Sequence, residues 1–458
     1  MHNDPRNLLN MATMEPKIRA ILLLVISVVA FFCGFNLNLW RVAEPVRFQT
    51  YDRQSESFTM GRLVKSRSDG IFSGAGLTGR CDCEGTLKDK IDYQFRAYEE
   101  DLECGKYHPY LSQIGFHAIF YSAVDAISPF SSPVTLKLLR GIKSLLLALS
   151  MGFIMLWFYY ELGFGAALAV SLTILLTPWF TLMGKDLWFC IWTNYFPFLL
   201  LLFLLRNESK SGTPSEKSIL LWGSFAILFS FIFNGYEWVT TSLIMAAVPF
   251  FFYWRKDRWP FKKLVRRVAW LAAGSIASLL LTFSFLAYQV SIVRGKFSDG
   301  VDWITYSFNK RAYGGANVED VYLEQTSHSV WQVFLRYLSG SSFELPTFIA
   351  RHLPWLFNRV FFAELIFVFI LLTILFFYPG KILKVKAAQL KHLQNLAIVT
   401  WISILAPLSW YVVFKGHAWS HSPINFITMF MPFCLFGMAM IGKVIQSFTE
   451  SRKTYTSL

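Results

Sequence analysis

Ten stretches of the chain are almost wholly apolar over about the length that crosses a hydrocarbon core, and polar segments separate them. They run over roughly 19–40, 134–160, 164–184, 187–205, 218–236, 238–254, 268–290, 357–378, 396–414 and 424–442. Only two intervening segments are long. The first, 41–133, is soluble in pattern, with turn signals at SDG, SGAG and CEG and an acidic run, YEEDLEC (98–104). Within it YHPYLSQIGFHAIFYSAVDAI (107–127) places apolar and aromatic residues at near-helical spacing, which predicts a segment lying in the membrane interface. In the second, 291–356, SVWQVFLRYL and PTFIARHLPWLF read as further interfacial helices. The expected fold class is an all-α polytopic membrane protein, with about ten transmembrane helices and two extracytoplasmic loops containing interfacial helices.

Charge gives the orientation. The basic connections RKDRWPFKKLVRR (255–267), KILKVKAAQLK (381–391) and RNESKSGTPSEK (206–217) fall on one side of a ten-span chain, together with both termini. Short loops rich in Lys and Arg stay in the cytoplasm. The chain then divides into a cytoplasmic tail (1–18), a core (19–205) carrying the outer loop 41–133, a second bundle (206–443) carrying the outer loop 291–356, and a cytoplasmic tail (444–458). The first apolar segment is too long for a cleaved signal and lacks a clean small-residue site, so it reads as a retained anchor. The net charge of +14 fits cytoplasmic loops against anionic lipid. No nucleic-acid motif accompanies it. The sequon Asn207-Glu208-Ser209 lies on the cytoplasmic side and is discounted.

Of six cysteines, Cys33, Cys190 and Cys434 sit in apolar segments. Cys81, Cys83 and Cys104 share the first outer loop, where one pair can be oxidised with one cysteine left over. Their spacing fits no usual zinc pattern.

The polar residues outside the spans gather on the non-cytoplasmic face. Asp69 lies among small residues in SRSDGIFSGAG, which would let a ligand approach the backbone, although SDG alone is also a common turn. Asp186 stands at the junction of two spans, where a charge is costly without work or a partner, and Lys185 is the adjacent partner. Glu237 lies between Tyr236 and Trp238 in FNGYEWVTT, a setting suited to a sugar or to a base. His417 and His421 flank Trp419 in KGHAWSHSPIN. With Lys415 they make a cationic surface for a phosphate rather than a metal site, since Gly416 and Pro423 interrupt the helix a zinc motif needs. His108 and Gln113 in YHPYLSQIG are further substrate-binding candidates. There is no Walker loop, no GxGxxG after a strand and no GxSxG elbow.

Taken in order, these features resemble the GT-C superfamily of integral-membrane glycosyltransferases, which use polyprenyl-phosphate-linked sugars. Asp69 falls where that family has an acidic residue early in its first outer loop, YHPYLSQIG (107–115) where it has an interfacial segment, and Asp186 where it has a second acidic residue between the third and fourth spans. LLRGIKSLLL (138–147) looks like the basic start of the second span. The resemblance covers residues 19 to about 205. It implies an inverting transfer from a polyprenyl-phosphate sugar to a glycan, lipid or protein acceptor, in cell-envelope glycan biosynthesis. Asp69 would be the general base, Asp186 would orient a substrate or base, and Lys185, Arg294, Arg351, Lys415 or His417 would neutralise the leaving phosphate. Many members carry two adjacent carboxylates. Asp69-Gly70 leaves a lone base here and no firm reason to expect a divalent metal or other cofactor. The expected location is a bacterial inner membrane, with the site facing the periplasm. Two other classes fit the pattern. One is a cell-envelope polysaccharide polymerase or ligase relying on Arg294, Arg311, Arg336 and Arg351. The other is a non-enzymatic transporter of lipid-linked glycans.

Overall fold

The computed structural model describes residues 15–48, 53–213, 216–313, 328–344, 359–379 and 387–456. Arg351, all of PTFIARHLPWLF, the start of KILKVKAAQLK and most of the N-terminal tail lie outside the described residues.

Helices run through all ten predicted segments. In chain order the first are α1 (Pro16–Leu37), α2 (Arg53–Asp69), α3 (Leu87–Glu99), α4 (Phe116–Ile127), α5 (Ser132–Leu162), α6 (Phe164–Leu176), α7 (Pro178–Lys185) and α8 (Ile191–Ser211). Then come α9 (Glu216–Asn234), α10 (Val239–Asp257), α11 (Phe261–Arg294), α12 (Phe297–Tyr313) and α13 (Val330–Leu338). Last are α14 (Phe362–Phe377), α15 (Ala387–Ser403), α16 (Leu405–Val413), α17 (Lys415–Ser420) and α18 (Phe433–Thr456). Among the described residues, five helical segments are long and apolar enough to cross a membrane: α1, α5, α9, α11 and the run α15–α16. The count reaches seven if each bent pair is one span, α6 with α7 at 63° and Ser422–Phe430 with α18 at 46°. The first bend has a local cause. Pro178 opens α7, and a residue before proline is pushed out of the helical region, as Thr177 is at ψ 132°.

Close backbone approach holds the bundle together. Gly165 of α6 and Gly442 of α18 face each other with no room for a Cβ on either. Small residues at such crossings let dispersion act along whole helices where lipid gives no hydrophobic drive. Elsewhere in the core the buried aromatics Tyr253 and Phe436 both pack on Trp157.

The first outer loop is more ordered than its turn signals imply. A 17-residue helix, α2, precedes the SDG turn, so Asp69 ends a helix rather than sitting in an open loop. It was hidden because its buried face is mixed: Glu56, Ser57, Thr59, Arg62 and Ser66 are buried along with Met60, Leu63 and Val64. Such a face gives no apolar period to read. Strands β1 (Gly79–Cys81) and β2 (Tyr107–Pro109) pair antiparallel, with Arg80 opposite His108. The predicted interfacial stretch 107–127 therefore starts as a strand and becomes the amphipathic α4 only at Phe116. In the second outer loop β3 (Ser341–Glu344) pairs with β4 (Arg359–Phe361), and α13 forms within SVWQVFLRYL. Glu344 receives Arg47 at 2.7 Å, which ties the two outer loops together.

The oxidised pair is Cys81–Cys104, and Cys83 is the free thiol of that loop. The bond closes a loop with a sequence separation of 23. Closing a loop of that length removes about 3 kcal/mol of unfolded-chain entropy. Cys104→Ser is expected to lower the melting temperature of the purified protein, and reductant should lower wild type towards it while leaving the variant unchanged.

Candidate functional site

Three elements meet at one end of the core. Helix α2 brings Glu56, α5 brings Arg140, Lys143 and Ser144, and the α7–α8 connection brings Asp186, Leu187 and Trp188. Arg140 clamps Glu56 with both arms, Nε to Oε1 at 3.1 Å and Nη2 to Oε2 at 2.7 Å. The Leu187 amide also donates to Glu56 Oε1, at 3.3 Å. Lys143 Nζ donates to the Met183 carbonyl, and Ser144 Oγ to the Gly184 carbonyl at 3.0 Å. These two bonds satisfy carbonyls at the end of α7 and fix where Asp186 emerges.

Asp186 is 2% exposed. Its Oδ1 accepts from the Trp188 amide at 2.5 Å, whereas its Oδ2 is buried without a hydrogen-bond partner. Burial, and next the charge of Glu56, push its carboxyl well above the usual carboxylate range, and Lys143 partly opposes this. A carboxylate so raised is a stronger base, and its free oxygen is available to an incoming proton. Trp188 is itself held in place. His117 donates from Nδ1 to the Phe233 carbonyl at 2.9 Å, so its Nε2 accepts from Thr59 at 3.3 Å, and its ring packs edge-on against Trp188. Burial pushes His117 down to about 4, so it stays neutral.

Glu56→Gln gives a pH test. Removing that negative charge, while leaving the cation of Arg140 nearby, favours ionised Asp186. The acidic limb of an activity profile that needs Asp186 ionised is expected to move to lower pH. A limb that stays in place would separate Glu56 from the titrating group.

A second cluster surrounds Glu237, which is buried between α9 and α10. Its Oε1 lies 3.3 Å from His417 Nε2, and the His417 ring lies 4.6 Å from that of His421. Asn425 accepts from Trp238 Nε1 at 2.6 Å. Burial, and next the charge of Arg311, push His417 down to about 3, so it is neutral at ordinary pH. A desolvated imidazole beside a guanidinium holds a proton poorly. The cation at this place is Arg311 on α12, which makes no ion pair among the described residues. It borders a cavity of about 280 Å³ lined by Leu243, Leu279, Phe283, Ile304 and Phe308, with Ser112 and Thr240 at its polar edge. Thr240 Oγ1 is buried without a partner. A second cavity of about 400 Å³ shares Phe283, Ile304 and Phe308, so an apolar groove follows α11 and α12, with Arg311 the charged residue among its described lining.

The remaining sequence candidates are dispersed. Asp69 is the last residue of α2, with its side chain 44% exposed and ion-paired to Lys65 one turn earlier. Lys185 lies in the field of Arg140 and Glu56, and among the described residues it forms no ion pair with Asp186, contrary to the adjacency argument; successive residues at a helix end point apart. His108 is half-exposed, 3.4 Å from Asp82. Gln113 is buried against Gly235, whose φ of 62° the turn requires. Tyr236 borders the groove, and Lys415 opens α17. Glu56, Arg140 and Lys143 were not singled out as site residues. Their signal was LLRGIKSLLL, where two cations three residues apart in an apolar helix imply a buried carboxylate opposite. Among the described residues no group of three His, Cys, Asp or Glu side chains is placed to hold a metal ion.

Comparison with protein-family models, with curated proteins and with solved structures finds no match.

Proposed function

We propose that this protein is an inverting glycosyltransferase of the outer membrane face, taking a sugar from a polyprenyl-phosphate donor. The observation that carries the reading is the apolar groove with Arg311 in its lining: it suits an amphiphile with an anionic head, and an unpaired guanidinium is the group that would hold a phosphate. The acceptor hydroxyl gives its proton to Asp186 Oδ2 as its oxygen bonds to the anomeric carbon. The bond from that carbon to the phosphate oxygen breaks, and polyprenyl phosphate leaves with its charge met by Arg311. Asp69, the base by resemblance, is solvated and paired to Lys65, so Asp186 is the better-placed base. Of the arginines a polymerase would use, Arg294 stacks on Trp303 and Arg336 is held by Ser422 and Trp419. Ten helices cross the membrane with both termini inside, in a bacterial inner membrane.

Two measurements check this reading. Arg311→Ala is expected to raise the donor KM by about tenfold or more, since a charge-assisted bond contributes about 1.5–3 kcal/mol. An unchanged donor KM would remove the phosphate from the groove. For orientation, an impermeant maleimide added to intact spheroplasts should label Cys83, which is partly exposed and free. Labelling only after the membrane is opened would invert the topology.

A further inference from the structure

Beside the carboxylates lies a cluster of rings. Phe58, Tyr110 and Trp188 meet with centroids 4.8, 5.4 and 5.4 Å apart. Phe58 and Tyr110 are only partly buried, while Trp188 lies beneath them. Arg80 covers one face of Phe58 at 3.9 Å. Its guanidinium is anchored from Nε to Ser57 Oγ at 2.7 Å and from Nη2 to the Gln54 carbonyl at 2.8 Å. That leaves Nη1 without a partner among the described residues. Desolvation pulls Arg80 down to about 10, so it still carries its charge at neutral pH.

The position of this cluster matters more than its composition. The Trp188 amide binds Asp186, whose second oxygen is buried and unpartnered. Tyr110 is followed directly by Leu111 and Ser112, both of which line the groove. Leu111 and Ser112 form a turn, so Ser112 stands at most about 7 Å along the chain from Tyr110, within the width of a pyranose ring. A sugar ring standing at Tyr110 would therefore neighbour the groove lining through Leu111 and Ser112, and Asp186 through Trp188. Aromatic faces take the C–H face of a sugar, while Tyr110 Oη and Arg80 Nη1 supply polar contacts for its hydroxyl rim.

We infer that Phe58, Tyr110 and Trp188, with Arg80 at their edge, form the acceptor subsite, and that the acceptor is the sugar ring of a glycan rather than a peptide or a lipid alcohol. This rests on the transferase reading for its purpose, and its test is independent of the donor. Wild-type protein in nanodiscs would be probed by saturation-transfer NMR with methyl glycosides and disaccharides, neutral and uronic. Tyr110→Leu, which keeps apolar bulk and loses the ring, and Tyr110→Phe, which keeps the ring, would be compared. Wild type is expected to bind at least one saccharide, Tyr110→Leu to bind it tenfold or more weakly, and Tyr110→Phe to stay within threefold. A Tyr110→Leu variant that binds like wild type, or a wild type that binds no saccharide, overturns the assignment. Release of polyprenyl phosphate by a wild type that binds no saccharide would sink the acceptor subsite alone. Saccharide binding with no donor turnover would sink the transferase reading instead.

Discussion

Asp186→Asn is expected to lower turnover by about 10²- to 10⁴-fold, the range general-base catalysis supplies. Asparagine keeps the size of the side chain and its bond from the Trp188 amide, so the α7–α8 connection should hold. What it lacks is the oxygen that takes the proton. The loss should fall on kcat, because the donor groove and the ring cluster are untouched. Asp69→Asn is expected to stay close to wild type, since that carboxylate is solvated and paired to Lys65. Kinetics of the two variants side by side check both claims. A large loss at Asp69 with little at Asp186 would return the base to the position the family resemblance gave it.

The second large effect is on stability. Arg140→Met removes the bidentate partner of Glu56, whose side chain is 6% exposed. Breaking a buried pair by removing one member costs about 3–5 kcal/mol, because the remaining charge is left uncompensated. The single variant should melt well below wild type, or fail to accumulate in membranes. Adding Glu56→Gln to Arg140→Met removes the stranded charge and should recover most of that loss. A double variant no more stable than the single would show that Arg140 supports the fold in some other way.

The helices that fill the membrane could be read from the sequence because apolar runs of that length have few alternatives in a bilayer. The α6–α7 bend could be anticipated only from Thr177-Pro178, and it matters because it presents Asp186. What stayed hidden was polar burial. Helix α2 packs a mixed face inward, so its periodicity is invisible, and Glu56 looks like one of many charges in a soluble loop. Arg140 and Lys143 were visible as cations within an apolar helix, yet Glu56, the partner of Arg140, lies 84 residues away in the chain. Asp69 drew attention through small neighbours that turn out to form the tight segment after a helix end, where Gly70, Gly74 and Gly76 all have positive φ. His417 suggested a phosphate site because spacing cannot report desolvation. Arg311, in a polar segment with other arginines, had nothing local to mark it until the groove placed it.

The most direct measurement is release of polyprenyl phosphate by protein reconstituted in liposomes, with a panel of polyprenyl-phosphate sugars in the outer leaflet and acceptor-rich membranes added. Release by wild type, with transfer of the sugar in inverted configuration and loss of both in Asp186→Asn, is the expected result. Donor that stays intact across the panel, or release that Asp186→Asn leaves unchanged, would contradict a lipid-phosphate transferase built on this carboxylate.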